Sequence, residues 1–115
     1  MLAETGQDVV VSQEDMAENA KDASEFLKAL AHETRLMILC CLAEGEKSVS
    51  ELEEILNIRQ PAVSQQLARL RADRLVSPRR DGKTIFYSIS RPETREIINV
   101  LYSVFCKNSA VCARS

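Results

Sequence analysis

The chain has 115 residues, of which 45% are hydrophobic and 28% are charged, and its formal net charge is −2. This length fits one domain with a modest core, and no apolar run approaches the roughly 18 residues that cross a bilayer. Because the acidic residues Glu4 and Asp8 stand where a signal peptide is basic and then apolar, we expect no secretory leader, no membrane partner and a cytoplasmic location.

The charge is distributed unevenly along the chain. Residues 59–83 contain seven basic and two acidic side chains, a net charge of +5, which leaves −7 for the remainder. A basic block in an otherwise acidic protein is typical of selective contact with nucleic-acid phosphates. A solvated basic surface is the alternative explanation of the charge alone.

The first half of the chain predicts three helices. Residues 1–13 have no sustained period and are expected to form a flexible tail. Apolar residues then recur every three or four positions and predict an amphipathic first helix, namely at Met16, Ala20, Ala23, Leu27 and Leu30. The stretch Leu36–Leu42 predicts a buried second helix. Ser48 and Glu51 have capping-box spacing and predict a third helix over about residues 49–56.

A helix-turn-helix is predicted next. A polar break of four residues separates the third helix from Pro61, which suits the first turn of a helix because an N–H has no partner there. Val63, Leu67 and Leu70 form the inward stripe of a fourth helix over roughly residues 61–73. Two short helices joined by a tight turn are typical of this motif.

The apolar period then changes to two, which predicts a β-hairpin. Strands are expected over Leu75–Arg80 and Ile85–Ile89, with Asp81-Gly82 as the turn because both residue types tolerate positive φ. Pro78 predicts an edge position for the first strand. A hairpin directly after a helix-turn-helix predicts a mainly α fold with a β-hairpin wing, a winged helix-turn-helix in the order ααααββα.

A last helix closes the predicted domain, which we expect to span residues 14–106. Ser90 and Glu93 have capping-box spacing, and Pro92 lies in the first turn. The helix carries a wide apolar stripe that consists of Ile97, Ile98, Leu101, Val104 and Phe105. This surface predicts a homodimer formed through the first and last helices, although the last helix could instead pack only on its own core. Residues 107–115 are expected to form a flexible tail.

The second helix of a helix-turn-helix lies in the major groove of DNA. Polar residues on its outward face are expected to read bases, and basic residues at its start and on the wing are expected to hold phosphates. The predicted DNA-binding residues are Arg59, Gln60, Ser64, Gln65, Gln66, Arg69, Arg79, Arg80 and Lys83. The predicted partner is double-stranded DNA, and a protein-interaction module is the alternative.

The chain resembles the ArsR, or ArsR/SmtB, family of bacterial repressors over about residues 20–106. The resemblance is carried by Leu30-Ala31-His32 before Arg35-Leu36, by Gln60-Pro61-Ala62-Val63-Ser64-Gln65-Gln66-Leu67 and by Arg80-Asp81-Gly82-Lys83. It implies a homodimer that binds operator DNA and releases it when an inducer binds.

Two metal sites of this family are expected to be absent. Many members carry a Cys-x-Cys pair where this chain has Val49-Ser50-Glu51-Leu52, and others bind zinc through Asp and His of the last helix, which here lacks His. The one histidine, His32, is expected to pack or cap locally, because a single His makes a poor metal site. We therefore expect no metal and no cofactor. Gln66 stands where many members have His, which leaves its base contact open.

The cysteines point to thiol chemistry. Cys40 and Cys106 resemble the placement in the sulfide- and persulfide-responsive branch of the family, the BigR- and SqrR-type repressors. The resemblance implies that sulfane sulfur converts one thiol to a persulfide, that the other thiol resolves it, and that the resulting link releases DNA. The alternative is that both cysteines are small hydrophobic core residues.

Other sensing chemistries remain open at this stage. Adjacent Cys40 and Cys41 could form a strained vicinal disulfide with peroxide, and the thiols could instead bind a metal or metalloid inducer. A thiol oxidoreductase is disfavoured because the chain has no Cys-x-x-Cys motif, so we predict no enzyme and no catalytic residue. Cys112, in the predicted tail, would be a resolving thiol or incidental.

Overall fold

The computed structural model describes residues 12–105, which form five helices and three strands. The helices are α1 (Gln13–Leu30), α2 (Glu33–Ala43), α3 (Val49–Leu56), α4 (Gln60–Ala72) and α5 (Pro92–Phe105). The strands are β1 (Lys47–Ser48), β2 (Val76–Asp81) and β3 (Thr84–Ile89). The predicted winged helix-turn-helix is confirmed, with the two-residue strand β1 as an addition. Within the described residues, no helix is both long and apolar enough to span a membrane.

Helix α1 begins earlier than the predicted tail boundary allows. The Ser12 hydroxyl accepts a hydrogen bond from the backbone N–H of Asp15 at 3.0 Å, so Gln13 is already helical. A side-chain cap of this kind satisfies an N–H group that the first turn leaves open. The first residue of α1 thus falls within the predicted tail of residues 1–13. Residues 1–11 and 106–115 lie outside the described part of the chain, and with them most of the predicted tails.

The core lies where α2, α3 and α4 pack against one another and against the sheet, with α5 packed on α2 and β3. The stripe predicted for α4 is confirmed, since Val63, Leu67 and Leu70 are at most 1% exposed. The other fully buried apolar side chains are Ile38, Leu39, Cys41, Leu42, Leu52, Leu75, Val76 and Ile98. These side chains anchor both helices of the helix-turn-helix to one common core.

Local sequence signals determine the ends of α3 and α4. The Ser48 hydroxyl accepts from the Glu51 N–H at 3.1 Å and the Glu51 carboxylate accepts from the Ser48 N–H at 2.8 Å, which confirms the capping box. Helix α3 ends at Leu56. Its C-cap residue Asn57 has a left-handed φ of 56°, a conformation that Asn tolerates better than most residues. Pro61 lies in the first turn of α4, as predicted.

The three strands form an antiparallel sheet in the order β1-β3-β2. Strand β2 is therefore an edge strand, as Pro78 predicts. The predicted turn is wrong by one residue, because Asp81 still pairs with Thr84 and the turn consists of Gly82 and Lys83. Gly82 has a φ of 65°, and glycine in the first central position is typical of a type II′ turn.

Helices α1 and α5 leave much of their apolar stripes uncovered. Met16 and Leu27 on α1 are each 58% exposed. On α5 the exposed fractions are 61% for Val100, 60% for Val104 and 77% for Phe105. The predicted amphipathic helices are thus present, but most of their apolar surface is not part of the core of this chain.

Two local predictions are wrong. Helix α5 begins at Pro92, so Ser90 does not cap it, and the Ser90 hydroxyl instead lies 2.7 Å from that of Ser77. His32 precedes α2 with an exposed side chain that makes no cap hydrogen bond, so it neither packs nor caps as predicted.

Candidate nucleic-acid interface

Helix α4 presents a polar face opposite its buried stripe. Ser64, Gln65 and Arg69 are exposed, as predicted, whereas Gln66 is half-buried. Because successive helical residues are about 100° apart, Ser64 and Gln66 lie on opposite flanks of the face centred near Gln65. The side chain of Gln65 therefore projects furthest toward a partner that binds along this face.

The start of α4 is held by a carboxylate from α3. Arg59 occupies the N-cap position, but its side chain makes no cap hydrogen bond. Glu53 Oε2 instead accepts from the backbone N–H of Gln60 at 3.1 Å. This bond satisfies an open N–H at the helix start and leaves the Arg59 and Gln60 side chains exposed.

A groove of about 220 Å³ separates the helix-turn-helix from the wing. Ser50 and Gln60 line one side, and Lys83, Thr84 and Ile85 line the other. Hydroxyl, amide and ammonium groups are donors that suit phosphate oxygens. The groove thus brings together two predicted DNA-binding residues, Gln60 and Lys83, from different elements.

Two of the predicted arginines have carboxylate partners within the chain. Arg69 Nε lies 3.4 Å from Asp73 Oδ2, and Arg79 donates to both carboxylate oxygens of Glu46 at 2.7 and 2.8 Å. The remaining basic side chains of the predicted set make no hydrogen bond or ion pair with any other residue of 12–105; they are Arg59, Arg80 and Lys83. These three charges are available to an external anion.

The two described cysteines differ in access. Cys41 is 0% exposed and lies in the core, whereas Cys40 is half-buried. Cys40 lines a cavity of about 230 Å³ between α2 and α5, together with Asn99 and Tyr102. The other predicted thiols, Cys106 and Cys112, lie outside the described residues. Of the described pair, Cys40 is therefore the thiol that a small reagent can reach.

A metal ion would need several suitable side chains in one place. In the segment from residue 12 to residue 105, no three His, Cys, Asp or Glu side chains lie close enough to hold one. His32 lies exposed at the start of α2 and belongs to no such group.

The sequence did not predict the roles of two carboxylates, Glu53 and Glu46, which bind the start of α4 and the wing residue Arg79. Glu53 lies seven residues before Gln60, and Glu46 lies 33 residues before its partner Arg79. An isolated acidic residue carries no local signal for such a partner. The register of the sheet, which sets where Arg79 stands, would have been needed to find Glu46.

The chain also matches known proteins. Residues 32–77 match the family described as "Bacterial regulatory protein, arsR family". The biofilm growth-associated repressor of Xylella fastidiosa is 44% identical over 96 residues, which cover 84% of this chain and 84% of that relative. The chain belongs to the arsR family. This arsR-family protein is accordingly a transcriptional regulator and not an enzyme, as predicted.

Other relatives of this arsR-family protein are also named as regulators. The biofilm growth-associated repressor of Agrobacterium fabrum is 47% identical over 91 residues, 79% of this chain and 78% of the relative. The transcriptional activator HlyU of Vibrio cholerae is 43% identical over 94 residues, 82% of this chain and 87% of the relative. The crystal structure of the repressor BigR from Xylella fastidiosa superposes with a TM-score of 0.78 at 43% identity, covering 85% of this chain and 97% of that one. The predicted resemblance to BigR-type proteins is confirmed.

Proposed function

We propose that this chain is a cytoplasmic, homodimeric repressor that binds operator DNA through α4 and the wing, and releases it when reactive sulfur species link Cys40 to Cys106. The DNA-binding part rests on one observation above all. Arg59, Arg80 and Lys83 have no partner among residues 12–105. Arg59 is the N-cap residue of α4, Lys83 lines the groove, and Arg80 lies on strand β2 of the wing. Repression, as opposed to activation, is supported by the relatives that are named as repressors.

A homodimer is supported by the apolar surface that α1 and α5 share. Ala23 and Phe26 of α1 line one cavity with Ile97 of α5, so the exposed stripes of the two helices adjoin. Val100 and Val104 continue this surface along α5. Contiguous exposed apolar surface marks a protein interface. A two-fold dimer would present its two α4 helices to successive turns of the major groove.

The sensing chemistry is the oxidation of two thiols by sulfane sulfur. The Cys40 thiolate attacks a sulfane sulfur of a polysulfide, which forms a Cys40 persulfide and releases a polysulfide anion one sulfur shorter. The Cys106 thiolate then attacks the Cys40 sulfur, a disulfide forms and hydrosulfide leaves. If Cys106 is itself first converted to a persulfide, the same displacement of hydrosulfide leaves a bridge with one additional sulfur.

Cys40 suits this role because it lies where α2 meets α5. It is half-buried beside Asn99 and Tyr102 of α5, and Cys106 directly follows the last residue of that helix in the sequence. Helix α2 also packs against α4. A covalent link from α2 to the end of α5 would thus shift the DNA-reading helix relative to the dimer surface. The complete burial of Cys41 argues against a vicinal disulfide with Cys40.

The sensing proposal is tested on an operator duplex enriched from a random library, with affinity measured by fluorescence anisotropy before and after sodium tetrasulfide. We expect the parent to lose affinity about tenfold or more. Cys40→Ser and Cys106→Ser should bind normally when reduced and stay bound after treatment, whereas the control Cys112→Ser should respond like the parent. Mass spectrometry should find a peptide pair joined between Cys40 and Cys106.

Parallel treatments separate the alternatives. Release from both serine variants by tetrasulfide would contradict the Cys40–Cys106 pairing. Release by zinc or arsenite but not by tetrasulfide would favour a metal or metalloid inducer, and release by hydrogen peroxide alone would favour a peroxide sensor.

The DNA interface has its own test, the slope of log affinity against log salt. Arg80→Ala and Lys83→Ala should each lower the magnitude of this slope by about 0.9, because each removes one phosphate contact. Gln65→Ala should relax base preference without changing the slope. Lys21→Ala is the matched control, since Lys21 is exposed on α1, outside its apolar stripe and outside the groove. Unchanged slopes for both wing variants would remove the wing from the interface.

A further inference from the structure

Arg79 on β2 is held by two partners at once. Its Nε and Nη2 donate to Glu46 Oε2 and Oε1 at 2.7 and 2.8 Å. Its guanidinium carbon lies 5.0 Å from the ring centre of Phe86, its cross-strand neighbour on β3. A bidentate carboxylate fixes the plane of a guanidinium, and an aromatic face beneath it adds attraction. Arg79 is therefore oriented within the protein before any ligand arrives.

The ion pair also compensates the charge of Arg79. The hydrogen bonds from Arg79 lower the pKa of Glu46 from its ordinary 4.5, and the same bonds together with the negative charge of Glu46 raise the pKa of Arg79. Both groups are thus ionised at neutral pH, and the positive charge of Arg79 faces a carboxylate at hydrogen-bond distance.

Arg79 and Arg80 lie on opposite faces of the wing, because side chains alternate along a strand. Arg80 stands opposite Ile85, which lines the groove beside Lys83. Arg79 stands opposite Phe86, one residue further along β3. The groove is lined from both faces, by Thr84 and by Ile85, so what distinguishes the two arginines is that Arg79 is paired with Glu46 and Arg80 has no partner among residues 12–105.

We infer that Arg79 is a positioning residue of the wing and not a phosphate contact: its pair with Glu46 ties β2 to the segment leading into α3, and so sets where Arg80 and Lys83 stand relative to α4. The covalent path is short, since Glu46 directly precedes β1 and β1 directly precedes α3. The inference rests on the proposed DNA interface, and it gives Arg79 a role different from the one predicted from the sequence.

The test is the affinity of the reduced full-length chain for the enriched operator duplex as a function of salt. Glu46→Gln should weaken binding by up to about fivefold, although removal of an acid near DNA would by itself strengthen binding. Arg79→Ala should weaken binding by a similar factor with the salt slope unchanged. The double variant E46Q/R79A should bind no more weakly than either single variant, because all three lack the same pair. Arg80→Ala is the reference for a lost phosphate contact.

Opposite results would overturn the inference. If Glu46→Gln binds as tightly as the parent or more tightly, the pair does not position the wing. If Arg79→Ala lowers the slope by about 0.9 as Arg80→Ala should, Arg79 contacts a phosphate. Charge exchange gives a second criterion, since E46R/R79E should recover part of the affinity that R79E loses. Thermal unfolding of each variant confirms that the fold is retained. If Arg80→Ala and Lys83→Ala also leave the affinity and the salt slope unchanged, the proposed DNA interface itself is wrong. That outcome is distinct from one in which only the variants of Glu46 and Arg79 leave the affinity unchanged.

Discussion

Arg95 on α5 donates a hydrogen bond to the backbone carbonyl of Ala43, in the last turn of α2. The same nitrogen lies 3.5 Å from the carbonyl of Leu42. The last carbonyls of a helix have no partner within it, and their partial negative charge favours a cation. A side chain 52 residues further along the chain thus caps α2, and it joins α5 to the helix that carries Cys40.

Replacing Arg95 should destabilise the fold. Arg95→Met keeps an unbranched side chain but removes the donors, and we expect the free energy of unfolding to fall by about 1–3 kcal/mol because charge-assisted bonds to Ala43 and Leu42 are lost. Arg95→Lys keeps a charge and should cost less. Urea unfolding followed by circular dichroism measures both. The exposed neighbour variant Glu96→Gln is the control and should change stability by less than about 0.5 kcal/mol; a loss that small for Arg95→Met would show that the cap contributes nothing.

The two adjacent cysteines should differ in labelling rate. A chain retaining Cys41 as its one cysteine should react with iodoacetamide at least about tenfold more slowly than a chain retaining Cys40, because a fully buried thiol reacts only after local opening. Both chains should react equally fast in concentrated urea, which controls for intrinsic reactivity. Equal rates in the native state would make Cys41 as accessible as Cys40 and would revive the vicinal disulfide.

A charge placed on the exposed stripe of α5 should weaken the dimer. Val104 is 60% exposed in the single chain and lies on the proposed interface. Val104→Glu should raise the dissociation constant of the dimer by at least about tenfold, because a charge would have to be buried without a partner. Ser103→Glu adds the same charge at the adjacent exposed position and serves as the control. Sedimentation velocity measures both, and identical dimers for the two variants would place the interface elsewhere.

The Glu46–Arg79 pair should contribute to stability in one pH range. Because the pKa of Glu46 in the folded chain is lowered, the contribution is fully present above the ordinary value of 4.5 and is lost as the pH falls through the lowered value. The difference in unfolding free energy between the parent and Glu46→Gln should therefore stay constant from neutral pH to about pH 5, and vanish in stronger acid. A difference that instead grew on acidification would contradict this assignment.

Much of the fold could be predicted because its signals are local. The inward stripe of α4 repeats every three or four residues around Val63, and the Ser48–Glu51 cap depends on a spacing of three. Pro78 marks an edge strand because it lacks an N–H. In each case the cause lies within one turn or one strand, so the sequence itself contains the evidence.

The remaining features depend on contacts that sequence periodicity does not describe. Helix α2 is apolar on most sides from Leu36 to Leu42, so its pattern could not tell half-buried Cys40 from buried Cys41. The hairpin register was missed because Asp81 and Gly82 both suit a turn, and pairing with Thr84 decides between them. Within the predicted DNA-binding set, Arg79 differs from Arg80 because Arg79 pairs with Glu46, which lies 33 residues away along the chain.

Strand β3 is paired on both sides, with β2 across the hairpin and with β1 at the entrance to α3. The hairpin is therefore held to the entrance of α3 by backbone pairing and is not a free arm. In the proposed dimer, the distance and tilt between the two protomers across the symmetry axis can still change. Since half-sites on DNA recur once per helical turn, a small change in that separation would be enough to put one protomer out of register with the duplex.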